Sequence, residues 1–265
     1  MRILFLGDIV GKNGREIIGN HLNELAKKYR ADFIIANGEN ATHGKGLIEN
    51  HYRYLLNIGI DAITLGNHYD GKNEIREYIE DADSLIRPLN IKDDNFKGVG
   101  SAVFEINGVT IRVTNLLGSV YMNEEVINPF DALDNLLNDN NEEKADIHIV
   151  DFHAEATGEK QALGYAFDGR VSAVLGTHTH VQTNDARIFE NGTAFISDVG
   201  MCGPYNGILG CKKEAVIERT WHGAHARFET NEIDDSIICG VILDINEGTG
   251  RCEYIQSFNN VYKLK

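Results

Sequence analysis

Two histidines one residue apart, His178 and His180 in Gly-Thr-His-Thr-His-Val-Gln-Thr (residues 176–183), are the first side chains with obvious chemistry. Neutral imidazole is the commonest protein metal ligand near neutral pH. The pair follows the apolar run 171–175, and glycine after such a run reads as a buried strand ending in a turn. Alone the pattern is weak, but other apolar runs end in donors too. Asp8 follows residues 3–6, Glu39 and Asn40 follow 32–36, Asn67 and His68 follow 61–65, and His153 follows 147–152. Singly, an Asp or Asn in such a place is usually a turn or cap residue. Together they are eight oxygen and nitrogen donors at strand ends, where ligands bind in open α/β sheets. Carboxylates, amides and imidazoles suit iron, manganese or zinc, and the lack of thiolates argues against soft-metal sites. Eight donors exceed what one ion takes from protein. Two ions about 3.5–4 Å apart, sharing a bridging carboxylate, fit better.

The elements that must carry these residues follow from periodicity. Residues 15–29 place Ile17, Ile18, Leu22, Leu25 and Ala26 at near-helical spacing. Helices are also expected near 49–57 and 72–81. With strands at 3–6, 32–36 and 61–65, the order is β-α-β-α-β-α, which argues for a parallel sheet flanked by helices. The stretch Gly7–Arg15 reads as a glycine-rich turn. Strands at 99–106 and 109–115 flank Asn107-Gly108, a strong hairpin signal. Helices are expected at 130–137 and 159–167, with strands at 147–152 and 171–175. Further hairpins are expected around Asn191-Gly192 and from 237–245 to 252–258. The reading is one domain over residues 1–265, with an irregular cap at about 201–235 that holds Trp221, the only tryptophan.

Composition narrows the classes. The chain has 25 basic and 40 acidic side chains, a net charge of −15. That disfavours bulk nucleic-acid binding, which needs Lys and Arg against phosphates. A small phosphorylated substrate is not excluded, because bound cations dominate a local field. The four cysteines form no C-x-x-C pair, so they read as reduced thiols. The longest apolar stretch, 237–243, is far below the ~20 residues a membrane span needs. No signal-peptide layout opens the chain, so the expected location is cytoplasmic. Gly44-Lys45-Gly46 lacks the spacing of a phosphate-binding P-loop, and Gly7, Gly11 and Gly14 miss that of a dinucleotide site.

The strings GDIVGKNGR, GENATHGKG, GNHYD, DFHAEATGEK and GTHTHVQT, with the later DVGMCGPYNGILG, resemble the calcineurin-like metallophosphoesterase superfamily. Within it they are similar to the bacterial YmdB-like branch of 2′,3′-cyclic nucleotide phosphodiesterases. The resemblance implies a layered α/β sandwich with central sheets flanked by helices and metals at the carboxyl ends of the strands. It implies that Asp8, Glu39, Asn40 and His180 hold one ion. Glu39, Asn67, His153 and His178 would hold the other, with Glu39 bridging. His68 would donate a proton to the leaving oxygen. The superfamily usually has Asp-x-His in its first motif; here the string is Asp8-Ile9-Val10. Losing that histidine favours iron or manganese over zinc. Asn13, Tyr69-Asp70 and Cys202 also depart from the branch's usual residues, and the last two departures bear on the pocket wall.

The expected activity is metal-dependent hydrolysis of small phosphodiesters, 2′,3′-cyclic nucleotides first. The attack would be in line, by a hydroxide bridging the two ions, with a histidine acid. One alternative is a regulatory nucleotide-binding protein with little turnover. Another is a phosphomonoesterase or protein phosphatase, which the same metal core would serve. A homo-oligomer is expected from the branch. His43 is placed near substrate or in solvent, and a role for His222 and His225 in the cap is left open.

Overall fold

The computed structural model describes residues 1–93 and 95–264. In chain order the strands are β1 (Arg2–Leu6), β2 (Asp8–Ile9), β3 (Phe33–Asn37), β4 (Ala62–Thr64), β5 (Leu85–Ile86), β6 (Ser101–Ile106) and β7 (Val109–Leu117). They continue as β8 (Ile147–His153), β9 (Ala173–Thr177), β10 (Arg187–Ile188), β11 (Ala194–Ile196), β12 (Met201–Pro204), β13 (Ser236–Ile245) and β14 (Cys252–Tyr262). The helices are α1 (Gly11–Tyr29), α2 (Glu49–Asn57), α3 (Ile75–Tyr78), α4 (Pro129–Asn138), α5 (Thr157–Ala166) and α6 (Lys213–His222).

The strands form two sheets. The first runs β2-β12-β13-β1-β3-β4-β5, with β14 added on β13; the second runs β10-β11-β9-β8-β7-β6. Alternation along each strand dictates the layering, because successive side chains face opposite sides. Ile3 and Phe5 of β1 and Phe33 and Ile35 of β3 pack against Ile111, Val113, Ile147 and Ile149 of the second sheet. Leu4 and Leu6 turn the other way, onto Ile17, Ile18 and Leu22 of α1. Val150 and Phe152 face Leu133 of α4 and Leu163 of α5. The result is a four-layer α/β/β/α sandwich with an apolar seam between the two sheets. β1, β3, β4 and β5 run parallel, as do β7, β8, β9 and β11.

Three expectations need correction. α1 starts at Gly11, inside the stretch read as a turn. Gly11 takes φ +62°, and a Cβ on Gly14 would strike the Cys202 carbonyl. These glycines serve close approach rather than chain reversal. Likewise β9 runs through Gly176 to Thr177 instead of stopping at the glycine. A Cβ at Gly176 would overlap the Ser197 carbonyl, so the residue is small because another chain segment crosses it. Within the stretch read as an irregular cap, Met201–Pro204 is strand β12 and Lys213–His222 is helix α6. Among the described residues no helix is long and apolar enough to cross a membrane.

Candidate metal centre

All eight donors named from the sequence lie at the carboxyl ends of parallel strands, brought to one place by the facing sheets. Asp8, Glu39, Asn40, Asn67 and His68 come from the first sheet. His153, His178 and His180 come from the second. Ligand atoms of Asp8, Glu39 and His153 lie within 4.8 Å of one another, and all three residues are buried.

One group of donors gathers around His153 Nε2. Asn67 Oδ1 and His178 Nδ1 are each 3.0 Å from it, and Glu39 Oε2 is 3.3 Å away. Donor atoms that share an ion at about 2.1 Å stand close to this far apart. The second group surrounds Asp8 Oδ1, a buried oxygen without a hydrogen-bond partner. His180 Nε2 lies 3.9 Å from it, and Asn40 Nδ2 lies 3.3 Å from His180 Nε2. Asn40 Nδ2 also donates to Glu39 Oε1 at 2.5 Å. An amide ligates through oxygen, so ligation by Asn40 needs a half-turn of that group. The Glu39 oxygens point into different groups, Oε1 toward Asn40 and Oε2 toward His153. A Cβ on Gly66 would overlap Glu39 Oε2 and His153 Nε2. The glycine keeps the space between the donors open.

Electrostatics favour a cation here. Burial, then the charges of Glu39, Asp198 and Asp151, push Asp8 well above the usual carboxylate range, although the His178 backbone N–H opposes this. Burial also works against ionised Glu39, but the imidazoles of His153 and His68 and the His68 backbone N–H hold it below its ordinary pKa. Burial lowers both His153 and His180, against the opposing pull of the Glu39 charge, and so favours rings that offer lone pairs. An orphaned carboxylate oxygen amid imidazoles fits a bound divalent ion.

The outward nitrogen of each of the three histidines is engaged, as that of a metal-bound imidazole usually is. His153 Nδ1 faces Thr177 Oγ1 at 2.9 Å, His178 Nε2 faces Glu155 at 3.2 Å, and His180 Nδ1 donates to the Leu209 carbonyl at 3.1 Å. The turn bearing His178 (φ +106°) and His180 (φ +64°) is strained, as functional turns often are. Asp198 holds it, accepting from Thr179 N and from the buried Lys160 Nζ, both at 2.9 Å. Sequence reasoning did not single out Glu155, Thr177, Lys160 or Asp198, because their signal is contact and not spacing.

A cavity of about 550 Å³ opens over the donors. Glu39, Asn40, His68, His178 and His180 form one wall; Val10, Ile208, Leu209, Val216 and Phe228 supply apolar surface. His43 and Lys45 also line it, whereas Tyr69, Asp70, His222 and His225 do not. Tyr69 packs edge-on against Phe96, and Asp70 pairs with Arg76.

The profile of the YmdB-like protein family matches residues 4–258. A Bacillus subtilis (strain 168) protein named 2′,3′-cyclic-nucleotide 2′-phosphodiesterase is 45% identical over 256 residues, 97% of this chain and 96% of that one. A crystal structure from Mycoplasma pneumoniae, described as a novel phosphatase, superposes with TM-score 0.92 at 41% identity, covering 99% of this chain and 94% of that one. A hypothetical protein from Thermus thermophilus gives TM-score 0.90 at 38% identity, over 99% and 100% of the two chains. A calcineurin-like phosphoesterase from Bacillus subtilis shares the fold at TM-score 0.58 and 13% identity, over 99% and 90%. With the family profile and the 45% identical relative both spanning nearly the whole chain, the chain belongs to the YmdB-like protein family.

Proposed function

We propose that this chain is a metal-dependent phosphodiesterase of small substrates, with 2′,3′-cyclic nucleotides foremost. The observation that carries the reading is the convergence of Asp8, Glu39 and His153 from two sheets within 4.8 Å, with Asp8 Oδ1 unpartnered. The 45% identity to the Bacillus subtilis phosphodiesterase supports the substrate class. In this reading Asp8, Glu39, Asn40 and His180 hold one ion, and Glu39, Asn67, His153 and His178 hold the other. The oxygen-rich set favours iron or manganese, with zinc as the alternative. Bound ions supply Lewis acidity for the phosphoryl oxygens and a water of lowered pKa.

The chain's own residues do the rest. His68 sits on the cavity wall with Nδ1 at 3.0 Å from Glu39 Oε1 and 3.1 Å from Asn40 Oδ1. With Nδ1 so engaged, a proton given to the departing ribose oxygen comes from Nε2. The apolar cap residues Val216 and Phe228 offer a surface for a flat base, and Lys45 puts a cation at the rim for phosphate. Such a protein works as a single domain with its cap over one end, in the cytoplasm, and as a homo-oligomer.

The test is turnover of 2′,3′-cyclic AMP and of a chromogenic phosphodiester by protein purified with Mn²⁺ or Fe²⁺, with a chromogenic phosphomonoester alongside. Asn67→Ala is expected to abolish metal-dependent turnover. His68→Ala is expected to lower kcat about 10²–10⁴-fold while Mn²⁺ binding persists. Absence of metal-dependent turnover, or unchanged activity in both variants, overturns the reading. The Mycoplasma pneumoniae structure's description as a phosphatase favours a phosphomonoesterase as the second reading, and preference for the monoester would establish it. Tight nucleotide binding without hydrolysis would instead mark a regulatory protein.

A further inference from the structure

On four neighbouring strands the side chains facing the inter-sheet seam are apolar until they near the carboxyl end, where a polar residue takes over. Phe33 and Ile35 give way to Asn37 on β3, Ala62 to Thr64 on β4, Ile147 and Ile149 to Asp151 on β8, and Ala173 and Leu175 to Thr177 on β9. All four polar residues are fully buried. They converge on one carboxylate. Asp151 Oδ2 accepts from Thr64 Oγ1 at 2.5 Å and Asn37 Nδ2 at 3.0 Å, and Oδ1 accepts from Thr177 Oγ1 at 2.7 Å. Donors from both sheets therefore meet directly beneath the donor cluster.

Thr177 Oγ1 also lies 2.9 Å from His153 Nδ1. A hydroxyl has one proton. Thr177 gives that proton to Asp151, so toward His153 it can only accept, and the imidazole proton must sit on Nδ1. The lone pair then falls on Nε2, the atom 3.0 Å from Asn67 Oδ1 and 3.3 Å from Glu39 Oε2. The partners of the other two ligand histidines are different in kind. His178 meets Glu155, whose side chain is 50% exposed, and His180 meets a backbone carbonyl in the cap segment.

We propose that Asp151 is a positioning residue which, through Thr177, fixes the His153 tautomer and so keeps one of the two cation positions competent. Asn37 and Thr64 anchor it across the seam, fixing the distance between the sheets that carry the two halves of the site. The inference rests on His153 being a metal ligand. The geometry also explains why an amide should not replace the carboxylate. In an Asp151→Asn variant, an NH₂ turned toward Thr64 and Asn37 would set donor against the Asn37 amide donor. Turned toward Thr177, it would force the threonine proton onto the His153 side.

Calorimetric titration with Mn²⁺ separates the possibilities without relying on turnover. Thr177→Val keeps the shape and removes the relay. It is expected to leave one Mn²⁺ bound as in the wild type and to weaken the other about 10–100-fold, the usual cost when a ligand histidine loses its hydrogen-bond partner. Thr177→Ser restores the hydroxyl and should restore both sites to within a few-fold. Asp151→Asn should behave like Thr177→Val. Two wild-type-like Mn²⁺ sites in Thr177→Val, or equal losses in Val and Ser variants, overturn the proposal. Should the variants misfold, imidazole ¹⁵N resonances of the metal-free wild type decide it, His153 being assigned by its loss in His153→Gln. Protonated Nδ1 is expected, and protonated Nε2 overturns the proposal. A wild type that binds no Mn²⁺ refutes instead the metal-ligand reading on which it rests.

Discussion

Two lysine–carboxylate pairs of nearly equal length show how differently the two sides of the cavity are built. Lys160 Nζ lies 2.9 Å from Asp198 Oδ2 under the His178–His180 turn, with side chains 2% and 1% exposed. Lys212 Nζ lies 2.8 Å from Glu229 Oε2 in the cap, with side chains 50% and 57% exposed. Around the first pair everything is committed: Asp198 also accepts from Thr179 N and Gly200 N. Around the second, α6 buries none of its residues, and Trp221, Phe228 and Ile233 stand exposed. The donor wall is held by buried polar contacts with no slack. The facing wall is thinly packed. That division suits an enzyme whose chemistry must stay fixed while its substrate contacts adapt.

The largest break in this contrast should come from Lys160→Met. Removing one partner of a buried pair strands the other charge, at a cost of about 3–5 kcal/mol. The expected outcome is a marked fall in Tm and weakened Mn²⁺ binding, since Asp198 no longer pins the histidine turn. Lys212→Met should leave both unchanged, because an exposed pair is solvated either way. Equal Tm losses from the two substitutions would show that burial does not separate the regions. Thermal melts of both variants, with and without Mn²⁺, check it.

The donor wall was legible in the sequence because its residues follow apolar runs. Asp8, Glu39, Asn67, His153 and His178 each sit just past a strand that hydrophobic periodicity reveals. What held them was not legible. Asp151 read as an ordinary strand residue, Thr177 as a turn residue past the strand, and Lys160 as an ordinary helix residue, because nothing local says that Asp198 or His153 lies nearby. The glycines misled for a related reason. Gly14 and Gly176 carry the signature of turns, yet their lack of Cβ answers to Cys202 and Ser197, distant in sequence. In the cap, α6 has too few buried positions to give a period. Phe228 and Val216 gained meaning only once they proved to line the same cavity as His68.

Acid offers a second way to sharpen the contrast, since only buried groups resist becoming charged. His148 on β8 is buried, and its Nε2 lies 2.8 Å from Thr114 Oγ1. Burial, with Arg112 nearby, pushes its pKa down to about 3. The folded pKa is thus below the unfolded value of about 6.5. Between the two the unfolded chain binds the extra proton, so stability is intact above about pH 6.5 and falls as pH drops toward 3. The slope from this one group approaches about 1.4 kcal/mol per pH unit. Replacing it as His148→Gln removes the titration while keeping a polar group for Thr114. The Tm difference between pH 7.5 and pH 5 should therefore shrink relative to wild type. An unchanged difference would mean that the buried His148 is not where acid acts.

The smallest expected effect tests the cap wall. Phe228 lines the cavity, is 45% exposed, and has the Arg219 guanidinium 4.8 Å over its ring. If the base of a nucleotide rests there, Phe228→Ala removes a stacking contact worth about 1–3 kcal/mol. The KM for 2′,3′-cyclic AMP should rise about 5–10-fold at the low end of that range. Since no donor contact changes, kcat, Mn²⁺ affinity and Tm should hold. A cyclic ribose phosphate without a base should show no change in KM, which separates lost stacking from general damage to the pocket. A fall in kcat for both substrates would place Phe228 on the chemical side of the cavity. That would collapse the division between a fixed wall that reacts and an adaptable wall that selects.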